Sequence, residues 1–254
     1  MSAVYRPLLL LIAFASYAAT AKNIEQSFPV SSGQLLTLKT DQGRIEVRTH
    51  SLEQIDVNVF VEGEQEDEFD VSFTPTGQGL QINGEKTSES HHRRLKVSYE
   101  ITVPENFNLD LDTSGGSISI DDLKGNAEAR TSGGSIAVGD INGDVELHTS
   151  GGSIQTENIY GGIDAHTSGG SIRVTFAHQP TQNASLSTSG GSIIAKLPMD
   201  ATFDLNASTS GGKVRSEFEV QGQIRKQSIR GSVNGGGPEL ALHTSGGSVR
   251  VEKI

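Results

Sequence analysis

The chain has 254 residues, 31 acidic against 20 basic, no cysteine and no tryptophan, and a formal net charge of −11. Such acidity spread along the chain argues against nucleic acid or anionic lipid as a main partner, since both require a basic face. The absence of cysteine excludes a disulfide framework and thiol chemistry, so stability must come from packing and backbone pairing.

Residues 1–21 read as a secretory signal: Arg6 supplies the positive start, Leu8 to Phe14 the apolar stretch, and Ala19-Thr20-Ala21 the small-x-small cleavage site. The apolar run is too short to span a bilayer, which needs about 20 residues. No later segment is apolar enough to cross, so after cleavage no transmembrane segment is expected, and the location is periplasmic or secreted to the cell surface. Removal of Arg6 leaves 19 basic and 31 acidic residues, a net charge of −12.

Residues 22–108 carry the alternation of half-buried strands. Leu35 to Arg48 looks like a degenerate repeat unit with Asp41-Gln-Gly-Arg44 at its turn. Ile55–Val61, Phe69–Phe73, Leu80–Ile82 and Leu95–Val103 follow as strands, and Glu62–Glu68 and Asn83–Arg94 read as polar loops. The basic island His91-His92-Arg93-Arg94 falls in the second loop.

From residue 109 to 254 a regular repeat takes over. Thr-Ser-Gly-Gly begins at Thr113, Thr131, Thr149, Thr167, Thr188, Thr209 and Thr244, at steps of 18, 18, 18, 21, 21 and 35 residues. A fixed short period signals stacked units. Two and four residues before each Thr the side chain is always aliphatic, and two residues after the second Gly it is always Ile or Val. One strand therefore leads into the Gly-Gly corner and another leaves it, each with one apolar face. A second corner carries an apolar plug at Leu123, Ile141 and Ile159. Glycine at the corners is expected to supply positive φ.

These features predict an all-β, single-domain β-solenoid, resembling a parallel β-helix, with coils of about 18–21 residues and two short strands per coil, stacked in chain order. An antiparallel β-meander, with Thr149 paired to Ile154 across a Gly-Gly loop, uses the same faces. The solenoid is favoured because a meander would need a second layer that the sequence does not supply. The longer steps then mark corner insertions, and Val249–Ile254 ends the chain as an uncapped strand open to a partner.

Parity places the repeat threonines in the buried column, where their hydroxyls can satisfy corner backbone groups. Ser150 and Ser168 face outward at the corners. His148 and His166 fall just before Thr on adjacent coils and point outward, so these four residues form the candidate binding surface. Two imidazoles without a third ligand make a poor metal site. Acids such as Asp110, Asp112, Asp121 and Asp122 occur throughout, and no nucleophile elbow, phosphate loop, His-Glu-x-x-His or calcium nonapeptide is present. No catalytic, metal or cofactor residues are assigned. Sequons at Asn183 and Asn206 matter only in a eukaryotic source.

The repeated Thr-Ser-Gly-Gly-Ser-Ile unit, Gly43-Arg-Ile-Glu-Val47 and Tyr99-Glu-Ile-Thr-Val-Pro104 together resemble the adhesin-like family of bacterial β-strand-repeat domains of unknown function. The resemblance covers nearly all of residues 22–254. It implies a β-solenoid, an envelope or exported location, and a surface or adhesive role. With no catalytic motif present the expected role is a non-enzymatic adhesin-like binding or scaffold surface, and the long rows of equivalent outward side chains suit a repetitive partner such as a glycan or another envelope protein. An envelope-stress or assembly factor and a polysaccharide-acting β-helix enzyme are the alternatives. The resemblance carries over no catalytic residues.

Overall fold

The computed structural model describes residues 21–63, 66–87 and 95–254. Of the expected signal segment 1–21, residues 1–20 lie outside the described residues, as does the basic island 91–94.

In chain order the strands begin with β1 (Ala21–Pro29), β2 (Leu35–Thr40), β3 (Arg44–His50), β4 (Gln54–Glu62), β5 (Phe69–Thr76), β6 (Gly79–Lys86) and β7 (Lys96–Pro104). The repeats supply β8 (Asn108–Thr113), β9 (Ile118–Ile120), β10 (Ala127–Thr131), β11 (Ile136–Val138), β12 (Val145–Thr149), β13 (Ile154–Asn158), β14 (Ile163–Thr167), β15 (Ile172–Thr175), β16 (Ala184–Thr188) and β17 (Ile193–Leu197). The chain finishes with β18 (Phe203–Thr209), β19 (Val214–Ser216), β20 (Gln221–Arg225), β21 (Ser228–Val233), β22 (Glu239–Thr244) and β23 (Val249–Lys253). The strand β6 runs through Asn83 to Lys86, a stretch expected to be loop. β1 and the β20–β21 hairpin likewise fall outside the strands expected from the alternation. Most of their side chains are exposed or half-exposed, so no apolar face shows in the alternation.

Each coil contributes one strand to each of two sheets. The first sheet runs β1-β4-β7-β3-β9-β11-β13-β15-β17-β23-β19, and the second β20-β21-β18-β22-β16-β14-β12-β10-β8-β2-β6-β5. Through the repeats the pairing is parallel and in register, apart from one shift between Gln155 and Asn158 where β13 meets β15: Thr113, Thr131, Thr149 and Thr167 are aligned partners, and Thr149 does not pair with Ile154. The solenoid expectation holds and the meander does not. All the aliphatic column residues, from Leu109 to Val249, are buried between the sheets, and the plugs Leu123, Ile141 and Ile159 bridge one another in parallel.

The coils do not stack in chain order. At the C-terminal end β22 lies between β16 and β18, and β23 between β17 and β19. The same occurs at the N-terminal end, where β2 lies between β6 and β8, and β3 between β7 and β9. The 35-residue interval is therefore not a corner insertion. It holds the β20–β21 hairpin, which pairs antiparallel to β18 and occupies its outer edge. With that edge taken, the last coil docks on the inner one. Val249–Ile254 consequently sits inside the stack rather than at an open end, which corrects the expectation of an uncapped terminal strand. At the closed end Phe203 and Phe218 meet edge to face at 5.3 Å.

Corner chemistry explains the tetrad. In the regular coils each Thr hydroxyl donates to a Gly carbonyl of the neighbouring coil, as Thr149 Oγ1 does to Gly134 O at 2.7 Å, and accepts from its own second Gly, as from Gly152 N–H at 3.3 Å. These threonines are buried polar groups with both functions satisfied. The Ser after Gly-Gly forms a second ladder, with Ser153 N–H donating to Ser135 Oγ and Ser171 N–H to Ser153 Oγ, both at 3.1 Å. Positive φ is confined to Gly116 (φ 132°) among the tetrad glycines. Elsewhere the second Gly is required by crowding: a Cβ on Gly152 would fall far inside 3.0 Å of the Gly134 carbonyl.

Thr40 holds the threonine position in the degenerate unit, aligned with Thr113. Its hydroxyl meets Tyr99 Oη at 2.9 Å, and Tyr99 is fully buried. Gly84 continues the column because a Cβ there would collide with that phenol. Burial pushes the Tyr99 phenol up to about 12. The folded state thus holds the proton more tightly than the unfolded chain, so this stability is intact below pH 10 and is lost as pH rises through about 12. Tyrosinate absorbance is expected to show this phenol titrating near 12 rather than 10 while the chain stays folded, and stability should fall by up to about 1.4 kcal/mol per pH unit in that window. In Tyr99→Phe that alkaline slope should vanish.

Candidate functional site

The second sheet presents its outward side chains in rows, because in-register parallel strands place equivalent residues about 4.8 Å apart. The row just before Thr reads, in stacking order, Lys39, Asp112, Arg130, His148, His166, Ser187, His243 and Ser208. The row three residues before Thr reads Asp110, Glu128, Glu146 and Asp164, then Ser185 and Ala241.

His148 and His166 do come together, with ring centroids 6.1 Å apart. His148 Nε2 contacts Glu146 Oε1 at 3.1 Å, and His166 Nδ1 contacts Ser187 Oγ at 2.8 Å. A third imidazole, His243, reaches Ser208 Oγ at 3.0 Å, one strand beyond Ser187. Ser150 and Ser168 are exposed at the corners beyond the buried threonines, their backbone N–H groups donating to Thr131 O and Thr149 O. They therefore flank the imidazoles across the threonine row rather than touching them.

Beside this row lies a groove of about 690 Å³, lined by Asp110, Glu128, Glu146, Asp164, Ser185 and Glu239 among others. One wall is an amide and carboxylate ladder at the second corner. Asn108 Oδ1 accepts from Asn126 N–H, Asn126 Oδ1 from Asp144 N–H, and Asp144 Oδ1 from both Gly162 N–H and the Gln182 amide. Arg130 pairs with Glu128 and, at 2.6 Å, with Glu146. Glu146 thus joins the groove to the histidine row. Of the groove acids only Asp110 stands out in the sequence, as one acid among many, although an acid three residues before Thr recurs in four successive units, Asp110, Glu128, Glu146 and Asp164. That recurrence was the available signal.

Across the second corner, Asp122, Asp140 and Glu157 bring one carboxylate oxygen each within 4.8 Å of one another. Asp122 already accepts the Asp140 N–H, and Asp140 accepts both the Asn158 N–H and its side-chain amide. These bonds account for the two aspartates as corner residues.

With two parallel sheets, register-stacked corners and a repeating outer face established, the family can be stated. The family profile of Toastrack DUF4097 matches residues 108–252. The chain belongs to the Toastrack DUF4097 family, a domain family of unknown function. No curated protein sequence matches it. Solved structures similar to this Toastrack chain include the following three. A candidate cell adhesion protein from Clostridium sporogenes shares 10% identity, over 92% of this chain and 100% of its own, with a TM-score of 0.46. A candidate lipid binding protein from Parabacteroides distasonis shares 14% over 91% and 96%, with a TM-score of 0.42. A candidate adhesin from Bacteroides fragilis shares 14% over 92% and 97%, with a TM-score of 0.38. Among the described residues, no helix is long and apolar enough to cross a membrane.

Proposed function

We propose that this Toastrack chain is an exported, non-enzymatic, adhesin-like binding or scaffold surface of the bacterial envelope, its outer second sheet engaging a repetitive glycan. The observation that carries the reading is the groove, where carboxylates and amides recur at one inter-strand spacing on a rigid face, with the imidazole row alongside it. Such a face makes many equivalent weak hydrogen bonds to a polymer of repeating hydroxyl or amino groups, and multivalency turns them into useful avidity. In this reading residues 1–21 are the export signal, and 22–108 and 109–254 act as one continuous body.

The test is an array of bacterial and host glycans and peptidoglycan fragments, read for binding and for cleavage of the same polymers. Saturable binding without cleavage is expected, weakened about tenfold by Glu146→Gln with His148→Ala and His166→Ala, since each lost polar contact contributes about 0.5–1.5 kcal/mol. Cleavage would overturn the non-enzymatic assignment, and silence in both channels would overturn the glycan.

A protein partner is the second reading, favoured by β20. This strand is an outer edge of the second sheet, every one of its five residues is exposed, and Ile224 is 64% exposed. An unpaired edge of this kind can accept a strand from an envelope protein.

A further inference from the structure

The first sheet carries a different outward chemistry at its C-terminal end. Strands β15, β17, β23 and β19 align Arg173, Ile194, Arg250 and Arg215 as direct partners on the solvent face. All three arginines are exposed. Arg250 is the register partner of Arg215, two like charges directly opposite, an arrangement that destabilises a strand pair. Among the described residues none of the three has an ion pair or side-chain hydrogen bond. Elsewhere Arg44 and Arg48 share Glu46, Arg130 meets Glu128 and Glu146, and Arg230 donates to Asn206, while Arg225 on the β20 edge stands alone without aligned basic neighbours. Acids outnumber bases 31 to 20, so three partnerless guanidiniums in one row leave a charge that an external anion would complete. Net charge conceals this, because the acids of the second sheet mask a local basic row.

We propose that this row binds a linear polyanion, an acidic polysaccharide laid across the strands with successive anionic groups on Arg173, Arg250 and Arg215. The row spans about 14 Å over four strands, too long for one small oxyanion to reach all three guanidiniums. The arginines stand in a single column. On one side run Ser171, Ser192 and Ser248, whose backbone N–H and hydroxyl groups take part in the serine ladder, and the exposed Lys213 takes the last position of that ladder beside Arg215, adding a fourth positive charge at this end. On the other, Lys196 faces Glu252, and Glu217 accepts the Lys253 N–H. Those flanking carboxylates would repel a broad anionic lipid surface but leave a track for a narrow chain. Guanidinium groups suit the task because they present forked donors to carboxylate, sulfate or phosphate oxygens. This site is separate from the groove of the second sheet and does not depend on its ligand.

The experiment measures affinity of the purified chain for dextran sulfate, with neutral dextran and phosphatidylglycerol vesicles as parallel probes, at low and high salt. Binding to dextran sulfate alone is expected, weakening as salt rises. Arg173→Gln with Arg215→Gln and Arg250→Gln should lower it about tenfold, whereas the charge-matched Arg44→Gln, Arg48→Gln and Lys96→Gln variant should stay within about twofold. All six side chains are exposed, and circular dichroism checks that both variants fold. Equal losses in the two variants would reduce the effect to overall charge and overturn the site. Binding to vesicles but not to the polymer, or to neither, would overturn it as well.

Discussion

Gly152→Ala is expected to destabilise the protein by about 3 kcal/mol or more, while Gly133→Ala, one corner earlier and one position earlier in its tetrad, leaves stability nearly unchanged. The contrast follows from where each Cβ would go. At Gly152 it would enter the space of the Gly134 carbonyl and the Ser135 amide, whereas at Gly133 its nearest neighbour is the Gly115 Cα at 4.0 Å. The coils cannot spread locally to make room. Thr149 ties them by its bond to Gly134 O and Ser153 N–H by its bond to Ser135 Oγ, so separation at one corner breaks both ladders. Neither glycine has positive φ, so alanine at Gly133 should gain a few tenths of a kcal/mol from a stiffer unfolded chain. Thermal melts check this: a fall of roughly 6–12 °C for Gly152→Ala against little change for Gly133→Ala. Equal melting points would show that the crowding relaxes.

Ser187→Cys with His243→Cys should form a disulfide readily, and so should Ser208→Cys with His243→Cys, whereas Ser187→Cys with Ser208→Cys should not. Ser187 and Ser208 each have His243 as register partner, and β22 separates them. Adjacent parallel strands lie about 4.8 Å apart, within the reach of a disulfide, and strands two apart lie about 9.6 Å apart, outside it. Coils stacked in chain order would give the opposite result for the Ser187–Ser208 pair. The native chain has no cysteine, so each double variant is free of competing thiols. The first bond closes a long loop and should add roughly 4 kcal/mol, provided its geometry is unstrained. Thiol titration and oxidised-against-reduced melts read both effects.

The two faces also differ in what could be foreseen. The histidine pair was legible because residue parity and an 18-residue step put His148 and His166 side by side and outward. The groove next to them was not, since its wall depends on second-corner side chains such as Asn126 and Asp144 reaching the adjacent coil's backbone. The arginine row was hidden for a related reason. Arg173, Arg215 and Arg250 are far apart in sequence and embedded in an acidic composition, and only alignment shows that no carboxylate meets them.

By itself the sequence determined the coil: period-two alternation on both sides of Thr-Ser-Gly-Gly dictates two strands, a buried aliphatic column and a corner whose threonine satisfies backbone groups. It could not determine which coil lies beside which. Every coil presents the same column residues and the same corner, so any two can stack with nearly the same pairing, and local pattern carries no information about order. Tertiary structure decided that through the ends. The β20–β21 hairpin covers the outer edge of β18, and β5 and β4 cover β6 and β7 at the other end. Once those edges are closed, the first and last coils bury their apolar faces only by entering the stack one place from its end.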